Sequence, residues 1–246
     1  NHNHFQGGRA AFPMDRAPRT MSFVHPDFSG IEACHIHWPL TTIRLHSEDP
    51  EALVALADQI LSAWRGYSDA SVGIWHQSHG AGQTVPHNTI TPIARQLEGG
   101  RFQLDLVLRN NRTTDEFPLG IFHPHPEIHA VKKENIGLIE VMGLAILPGR
   151  LQTELAGLRD WLLAGMDREA LAGPEHPLHK HLAWVEALAV RDGLAGLADA
   201  AALDAALQQE VGRLFKSGLE HCGVFKQDEE GTAALKRFLV SAGFIF

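Results

Sequence analysis

Apolar and polar residues alternate most regularly in the middle of the chain. Between Arg101 and Arg109, Phe102, Leu104, Leu106 and Leu108 take every second position, and the residues between them are mostly polar. A period of two predicts a half-buried β-strand. Three weaker strand candidates are residues 30–45, 71–76 and 88–95, and Gly99-Gly100 has the composition of a hairpin turn. Two prolines inside these candidates belong at edges, bends or bulges: Pro39 and Pro92.

A helical pattern is strongest after Asp49. Asp49 can cap the helix, Pro50 suits its first turn, and Gly66 ends it. One apolar face runs through Leu53, Leu56, Ile60, Leu61 and Trp64.

The composition changes near Pro148, from β-type segments to helices rich in Ala and Leu. Further helices are predicted from Pro148 and at residues 179–191, 201–221 and 228–242. The predicted fold class is therefore α+β: an antiparallel sheet flanked by helices, β-rich to about residue 147, with a helical C-terminal third.

Composition narrows the class of protein. The 246 residues carry a formal charge of −8, which argues against bulk nucleic-acid binding. No stretch has the roughly 20 apolar residues that a membrane span needs. Only two cysteines occur, Cys34 and Cys222, and no secretory leader pattern opens the chain. We therefore expect a soluble, cytoplasmic protein.

Histidine is unusually frequent, with 16 copies, and two clusters stand out. In the first, His2-Asn3-His4-Phe5-Gln6, residues two apart share a face if the segment is extended. His2, His4 and Gln6 can then hold a metal, present a nucleophilic imidazole, or form a solvated tail. The residues alone leave these three readings open.

The second cluster is His123-Pro124-His125-Pro126-Glu127-Ile128-His129. Its composition resembles a metal site, but the prolines favour an extended loop whose neighbouring side chains diverge. A surface or substrate loop is the preferred interpretation, and a metal site is the alternative.

Two further segments suit anion binding. Lys132 and Lys133 precede Asn135 and a small apolar run through Glu140. This segment can place cations and backbone N–H donors around a phosphate. Alternatively, it is a solvated turn that leads into a buried strand. Arg109-Asn110-Asn111-Arg112 ends the best strand, where guanidinium groups can contact anions or belong to a polar turn.

Four stretches together carry a resemblance to a known family. They are HNHFQGGRAAFPMDRAP at 2–18, PHNTITPIAR at 86–95, the long segment 104–151 and GVFKQDEEG at 223–231. The chain resembles the second class of the UDP-glucose–hexose-1-phosphate uridylyltransferase family, one of the histidine-triad-like nucleotidyl transferases, whose signature is His-x-His-x-Gln. The resemblance implies a histidine-triad-like antiparallel sheet.

The resemblance also implies roles for individual residues. The second histidine of the signature, His4, matches the nucleophile; Gln6 matches the residue that hydrogen-bonds the nucleotidyl phosphate; and His2 matches a supporting histidine. The segment matching Lys133 to Met142 approaches the hexose phosphate in the family's better-described class, from the partner subunit, so a homodimer is expected. The expected substrate-binding residues are Arg9, Arg109, Arg112, Lys132, Lys133, Asn135 and Glu140.

The resemblance implies neither a metal nor another cofactor for this chain. The other class of the family binds a second metal through paired histidines on a later strand, and the matching strand here, 103–108, has no histidine. The family also extends upstream of the signature, into a region that supplies most of the uridine pocket. We therefore expect the C-terminal part of a longer enzyme, with residues 1–18 ending its nucleotidyl-transfer half and 19–246 forming a C-terminal domain.

The expected reaction moves a uridylyl group from UDP-glucose to galactose 1-phosphate, yielding UDP-galactose in galactose metabolism. A neutral imidazole, whose pKa is ordinarily about 6.5, attacks phosphorus and forms a uridylyl-histidine. We expect the chain alone to turn over slowly or not at all. The alternatives are a related phosphorylase or hydrolase of nucleoside polyphosphates, and a non-catalytic metal-binding protein that uses the loop 123–129.

Overall fold

The computed structural model describes residues 5–80, 82–194 and 199–246. The chain divides into two compact units. Unit 1 comprises residues 1–122, 137–144 and 222–246, and unit 2 comprises residues 123–136 and 145–221.

Unit 1 is built on β-structure. Its strands are β1 (Arg19–Phe23), β2 (Glu32–Ile36), β3 (Thr42–Ser47), β4 (Gln77–Gly80), β5 (Gln83–Pro86), β6 (Asn88–Gln96) and β7 (Phe102–Asn110). Five of them form an antiparallel sheet in the order β1-β2-β3-β7-β6, and β4 pairs with β5 in a separate hairpin. In the sheet, Leu45 lies opposite Leu104 and Pro92 lies opposite Leu106. Pro92 is therefore on an edge strand, where a residue without an N–H is tolerated.

Helix α1 (Pro50–Gly66) covers one face of this sheet. The Asp49 carboxylate accepts the N–H groups of Glu51 and Ala52, which caps the first turn. The fully buried Trp64 donates its indole N–H to the carbonyls of Thr89 and Arg109, at 3.0 and 3.1 Å. The helix thus packs its apolar face on the sheet and is fixed to β6 and β7 by one side chain.

Two more helices complete unit 1. One is α2 (Leu138–Val141), and the other is the last helix of the described chain, Glu229–Ser241. Asp228 caps the latter by accepting the N–H of Gly231 at 2.7 Å. Its buried residues Leu235, Phe238 and Leu239 join α1 and the sheet in one apolar core.

Unit 2 is helical. It contains α3 (Arg150–Leu163), α4 (Leu182–Arg191) and all but the last residue of α5 (Ala200–Cys222), so the Glu229–Ser241 helix is α6. Leucines and two tryptophans, Trp161 and Trp184, fill its core. Burial raises the pKa of the Glu154 carboxyl, but hydrogen bonds from Lys180, His181 and Arg150 outweigh burial and hold it below its usual value.

Short 3₁₀ helices link these elements. They span Pro13–Arg16, Pro26–Phe28, Ala70–Val72, Glu98–Gly100, Pro126–Ile128, Glu169–Leu171 and His179–His181. Gly99 and Gly100 both have positive φ, at 81° and 85°, which confirms the predicted turn between β6 and β7.

The predicted α+β class, with its antiparallel sheet and helical C-terminal part, is confirmed. The predicted helix after Asp49 and those near 179–191, 201–221 and 228–242 form with small shifts at their ends, and the helix predicted from Pro148 begins at Arg150. The division of the chain at residue 18 stays a prediction.

Several strand predictions are wrong. Residues 71–76 contain a 3₁₀ turn and a single bridge between Asp69 and Ile74, and residues 30–45 form two strands because Pro39 lies where the chain reverses. Strands end at Asn110 rather than near 147 in the described part of the chain, and the apolar run before Met142 forms α2. Periodicity does not decide between strand and helix for these segments, because a short apolar run is compatible with a buried strand or a buried helix.

Strand β7 is present but is not half-buried. Gln103, Asp105 and Val107, on its more polar face, are buried as well. Within the residues that the structure describes, no helix is both long and apolar enough to cross a bilayer.

Candidate functional site

The predicted nucleophile segment lies partly outside the described residues. His2 and His4 lie outside the residues that the structure describes. Gln6 and Arg9 are described, and both are exposed in an irregular segment that precedes the 3₁₀ helix Pro13–Arg16.

The chain just after this segment is firmly anchored in unit 1. Met14 is fully buried, and its carbonyl accepts a hydrogen bond from Arg44 Nη2 at 3.0 Å. The Asp15 carboxylate accepts the N–H of Phe12 at 2.8 Å and pairs with Arg95 at 2.5 Å. Both arginines come from the sheet, so the sheet fixes the chain a few residues beyond Gln6.

A buried carboxylate holds those arginines in place. Asp105 on β7 is 0% exposed, and Arg44 on β3 binds it in two places, with Nε and Nη2 at 2.6 and 2.9 Å from its oxygens. Gln103 donates to the same carboxylate at 2.9 Å, and Arg95 Nη1 lies 3.9 Å away. Two-point contact of this kind is the strongest geometry for an arginine–carboxylate pair. We call Asp15, Arg44, Arg95 and Asp105 the sheet charge network.

The segment that carries Glu140 is attached to the same part of unit 1. Met14 N–H donates to the Met142 carbonyl at 3.2 Å, and Trp38 Nε1 donates to the Val141 carbonyl at 2.8 Å. Gly143, at φ 98°, packs so closely on Trp38 that a Cβ there would lie 2.8 Å from the indole ring. Glu140 is buried, and its Oε2 accepts the N–H of Gly137 at 2.9 Å. Two of the predicted site segments are therefore joined through Met14.

Arg109 and Arg112 lie at and just beyond the end of β7. Arg112 Nη1 donates to the Gly73 carbonyl at 2.9 Å, and its guanidinium lies 5.7 Å from the centre of the Trp75 ring. Arg109 is half-buried and is the next-to-last residue of β7. Arg112 is thus held by protein groups, which fits a polar turn as well as an anion contact.

The remaining predicted residues lie in a loop of unit 2. Lys132 is buried, with Nζ 3.8 Å from Glu134 Oε2, whereas Lys133 and Asn135 are exposed. Backbone N–H groups, and then the charge of Lys132, lower the pKa of Glu134. Asn135 Oδ1 lies 2.9 Å from His123 Nε2.

Unit 1 also has a cationic cavity of about 360 Å³ that sequence reasoning missed. Its wall includes His35, His37, Trp38, Lys226 and Lys236, and none of the described residues that line it carries a carboxylate. Burial and then the neighbouring His37 lower the pKa of His35 to about 4, so that ring is neutral at pH 7. The volume and the lysines suit a small phosphate ester.

Neither cysteine is suited to act as the nucleophile. Burial raises the pKa of Cys222 to about 11 and raises the pKa of Cys34 as well. Because the thiolate is the reactive form, both thiols are inert at neutral pH.

Comparison with known proteins identifies the protein family. Residues 1–180 match the family model described as "Galactose-1-phosphate uridyl transferase, C-terminal domain". This chain belongs to that family.

Relatives named "Galactose-1-phosphate uridylyltransferase" match almost the whole chain. The protein of Caldanaerobacter subterraneus is 50% identical over 245 residues, which is 99% of this chain and 47% of the relative. That of Halalkalibacterium halodurans is 48% identical over 239 residues, 97% of this chain and 45% of the relative. That of Fusobacterium nucleatum is 44% identical over 244 residues, 99% of this chain and 47% of the relative.

The chain spans about half the length of the curated relatives that it matches. No solved structure matches it.

Proposed function

We propose that this chain carries the nucleophile of a uridylyl transfer from UDP-glucose to galactose 1-phosphate. The observation that carries the proposal is the family match over residues 1–180, which includes His-x-His-x-Gln at 2–6. The names of the relatives support this reaction rather than the hydrolysis of other nucleoside polyphosphates.

The reaction proceeds in two displacements at one phosphorus atom. In the first, a ring nitrogen of His4 attacks the α-phosphorus of UDP-glucose, the bond from that phosphorus to the bridging oxygen breaks, and glucose 1-phosphate leaves. In the second, a phosphate oxygen of galactose 1-phosphate attacks the uridylyl-histidine, and the P–N bond breaks. UDP-galactose leaves, and the imidazole is restored.

Hydrogen-bond donors stabilise the charge that develops on the phosphoryl oxygens. The Gln6 amide donates to the nucleotidyl phosphate, and His2 supports the orientation of His4. Arg9, Arg109, Arg112, Lys132 and Lys133 supply positive charge, and the segment that carries Asn135 and Glu140 approaches the sugar-phosphate substrate. Donors fixed in advance contribute most to such a transition state.

The sheet charge network supports this proposal indirectly. It holds Met14 and Asp15 only a few residues after Gln6, and Met14 is bonded to Met142 near Glu140. The expected homodimer, in which a partner chain completes the hexose-phosphate site, stays a prediction.

Replacement of the nucleophile tests the proposal. With the upstream half of the expected longer enzyme present, we expect His4→Gly to lower UDP-galactose formation from UDP-glucose and galactose 1-phosphate by about 10⁴-fold or more, since loss of a covalent nucleophile has effects of this size. The control is His79→Gly, which removes an exposed histidine from the β4–β5 hairpin and should leave the rate unchanged. A His4→Gly variant with undiminished turnover would refute the proposal.

A further inference from the structure

The histidine-rich loop of unit 2 meets a histidine that is far away in sequence. The backbone N–H of His125 donates to Nδ1 of His221 on α5, 96 residues later, at 3.2 Å. Their rings stack at 14° with centroids 4.2 Å apart. His221 had no place in the sequence-based prediction, because no local pattern connects it with the loop.

Glu127 completes a group of three. Its Oε1 lies 3.3 Å from Nε2 of His221, and one ligand atom from each of His125, Glu127 and His221 lies within 4.8 Å of the others. A charge-assisted hydrogen bond is typically about 2.7–2.9 Å long, so 3.3 Å is long for one. Two ligands at about 2.0–2.1 Å from one tetrahedral ion lie about 3.3 Å apart.

The other two histidines of the loop are engaged within it. His123 contacts Asn135 Oδ1 at 2.9 Å and the Pro124 carbonyl at 3.0 Å, and His129 contacts the same carbonyl at 2.9 Å. These contacts fix the backbone of the loop while His125 and Glu127 face α5.

A glycine allows the loop to come this close. Gly218 lies one turn before His221 on α5, and a Cβ added to it would lie 2.6 Å from Ile128 Cδ1. A Cβ at this position would force the end of the Ile128 side chain to move. The close approach of the loop to α5 is therefore favoured by a glycine at 218.

We propose that His125, Glu127 and His221 bind a divalent transition-metal ion such as Zn²⁺. Two imidazoles and one carboxylate form a three-ligand set that leaves a fourth position open to water or an anion. The His125 ring has to rotate about its Cβ–Cγ bond on binding, because lone pairs in two parallel stacked rings do not converge on one ion. His221 has to exchange the hydrogen bond that its Nδ1 accepts from the His125 N–H for a proton on Nδ1, so that Nε2 loses its proton and offers its lone pair to the ion. This site is independent of the proposed uridylyl transfer, and it departs from the sequence-based expectation of no metal, which rested on β7.

Cobalt titration of the metal-free full chain tests the site. We expect one equivalent of Co²⁺ to bind, with visible d–d absorption that Zn²⁺ displaces. Glu127→Gln and His221→Ala should each weaken binding at least tenfold.

Two further variants keep the test decisive. His79→Ala, which removes an exposed histidine of unit 1, should bind Co²⁺ as the parent does. The Glu127 side chain is 62% exposed, so Glu127→Gln should fold even where His221→Ala does not. Absence of stoichiometric binding, or equal affinity in the parent and Glu127→Gln, would overturn the proposal.

Discussion

Two histidine-rich segments of this chain share a spacing and differ in one chemical group. Residues 2–6 read His-Asn-His-Phe-Gln, and residues 123–127 read His-Pro-His-Pro-Glu. A glutamine amide donates hydrogen bonds to a phosphate, whereas a carboxylate repels a phosphate and attracts a cation. The same histidine spacing thus suits phosphoryl chemistry in the first segment and cation binding in the second.

The two segments also differ in what holds them. The chain after the first is tied to the sheet by a hydrogen bond from Arg44 to the Met14 carbonyl and by the partly buried ion pair of Asp15 with Arg95. The second is held by apolar contact, with Ile128 resting against Gly218 of α5. The first segment is therefore sensitive to substitutions that remove a charge, and the second to substitutions that add a side-chain atom at Gly218.

The largest structural effect is expected from Asp105→Asn. The substitution leaves Arg44, which is 4% exposed, without its paired charge. Breaking a buried pair in this way costs about 3–5 kcal/mol of the free energy of unfolding. Urea denaturation followed by Trp fluorescence measures the loss, and Asp58→Asn on the exposed side of α1 is the control. A loss below about 1 kcal/mol would mean that the network is not a principal support of unit 1.

A change of chemical group in the first segment is the next test. With the upstream half of the expected longer enzyme present, we expect Gln6→Glu to lower kcat/KM for UDP-glucose by about 10²–10³-fold, because it replaces a donor to the phosphate with a negative charge. Gln83→Glu, an equal change of charge at an exposed position of β5, serves as the control. If the two variants have the same kcat/KM, the assigned role of Gln6 is wrong.

The smallest effect is expected at the support of the second segment. Gly218→Ala should lower the stability of unit 2 by about 1–3 kcal/mol, because its Cβ overlaps Ile128. Gly212→Ala is a matched control on the same helix: nothing lies within 4 Å of its added Cβ, and alanine in an open helical position stabilises by about 0.5–1 kcal/mol. Thermal unfolding curves of the two variants should therefore shift in opposite directions, and a shared direction would show that the loop does not rest on α5.

The parts of the fold that sequence predicts best are those with local signals. Helix α1 has a capping aspartate, a first-turn proline and a regular apolar face, and it forms as predicted. Strand β7 was correctly placed, but its alternation indicated an exposed polar face. The polar face of β7 can be buried because Arg44, 61 residues earlier in the chain, pairs with Asp105 and neutralises its charge. A single sequence does not reveal which distant cation pairs with a given carboxylate.

In the candidate site, too, the sequence did not reveal contacts between residues that are far apart in the chain. The residues that sequence reasoning selected lie in short motifs, such as Lys132 to Asn135. The residues it missed, Trp38 and His221, act on motifs from distant positions. One of the two open interpretations placed Glu140 in a segment that leads into a buried strand, whereas the structure places it in α2, next to the contacts with Met14 and Trp38.

The most direct test of the uridylyl-transfer account is the mass of the protein after exposure to UDP-glucose alone. Without an acceptor, the first displacement stops at the covalent stage. With the upstream half of the expected longer enzyme present, intact-mass spectra should therefore show an added uridine monophosphate on this chain. Fragmentation should place it on His4, and galactose 1-phosphate should remove it. Spectra that show no adduct while the same sample forms UDP-galactose would contradict the account.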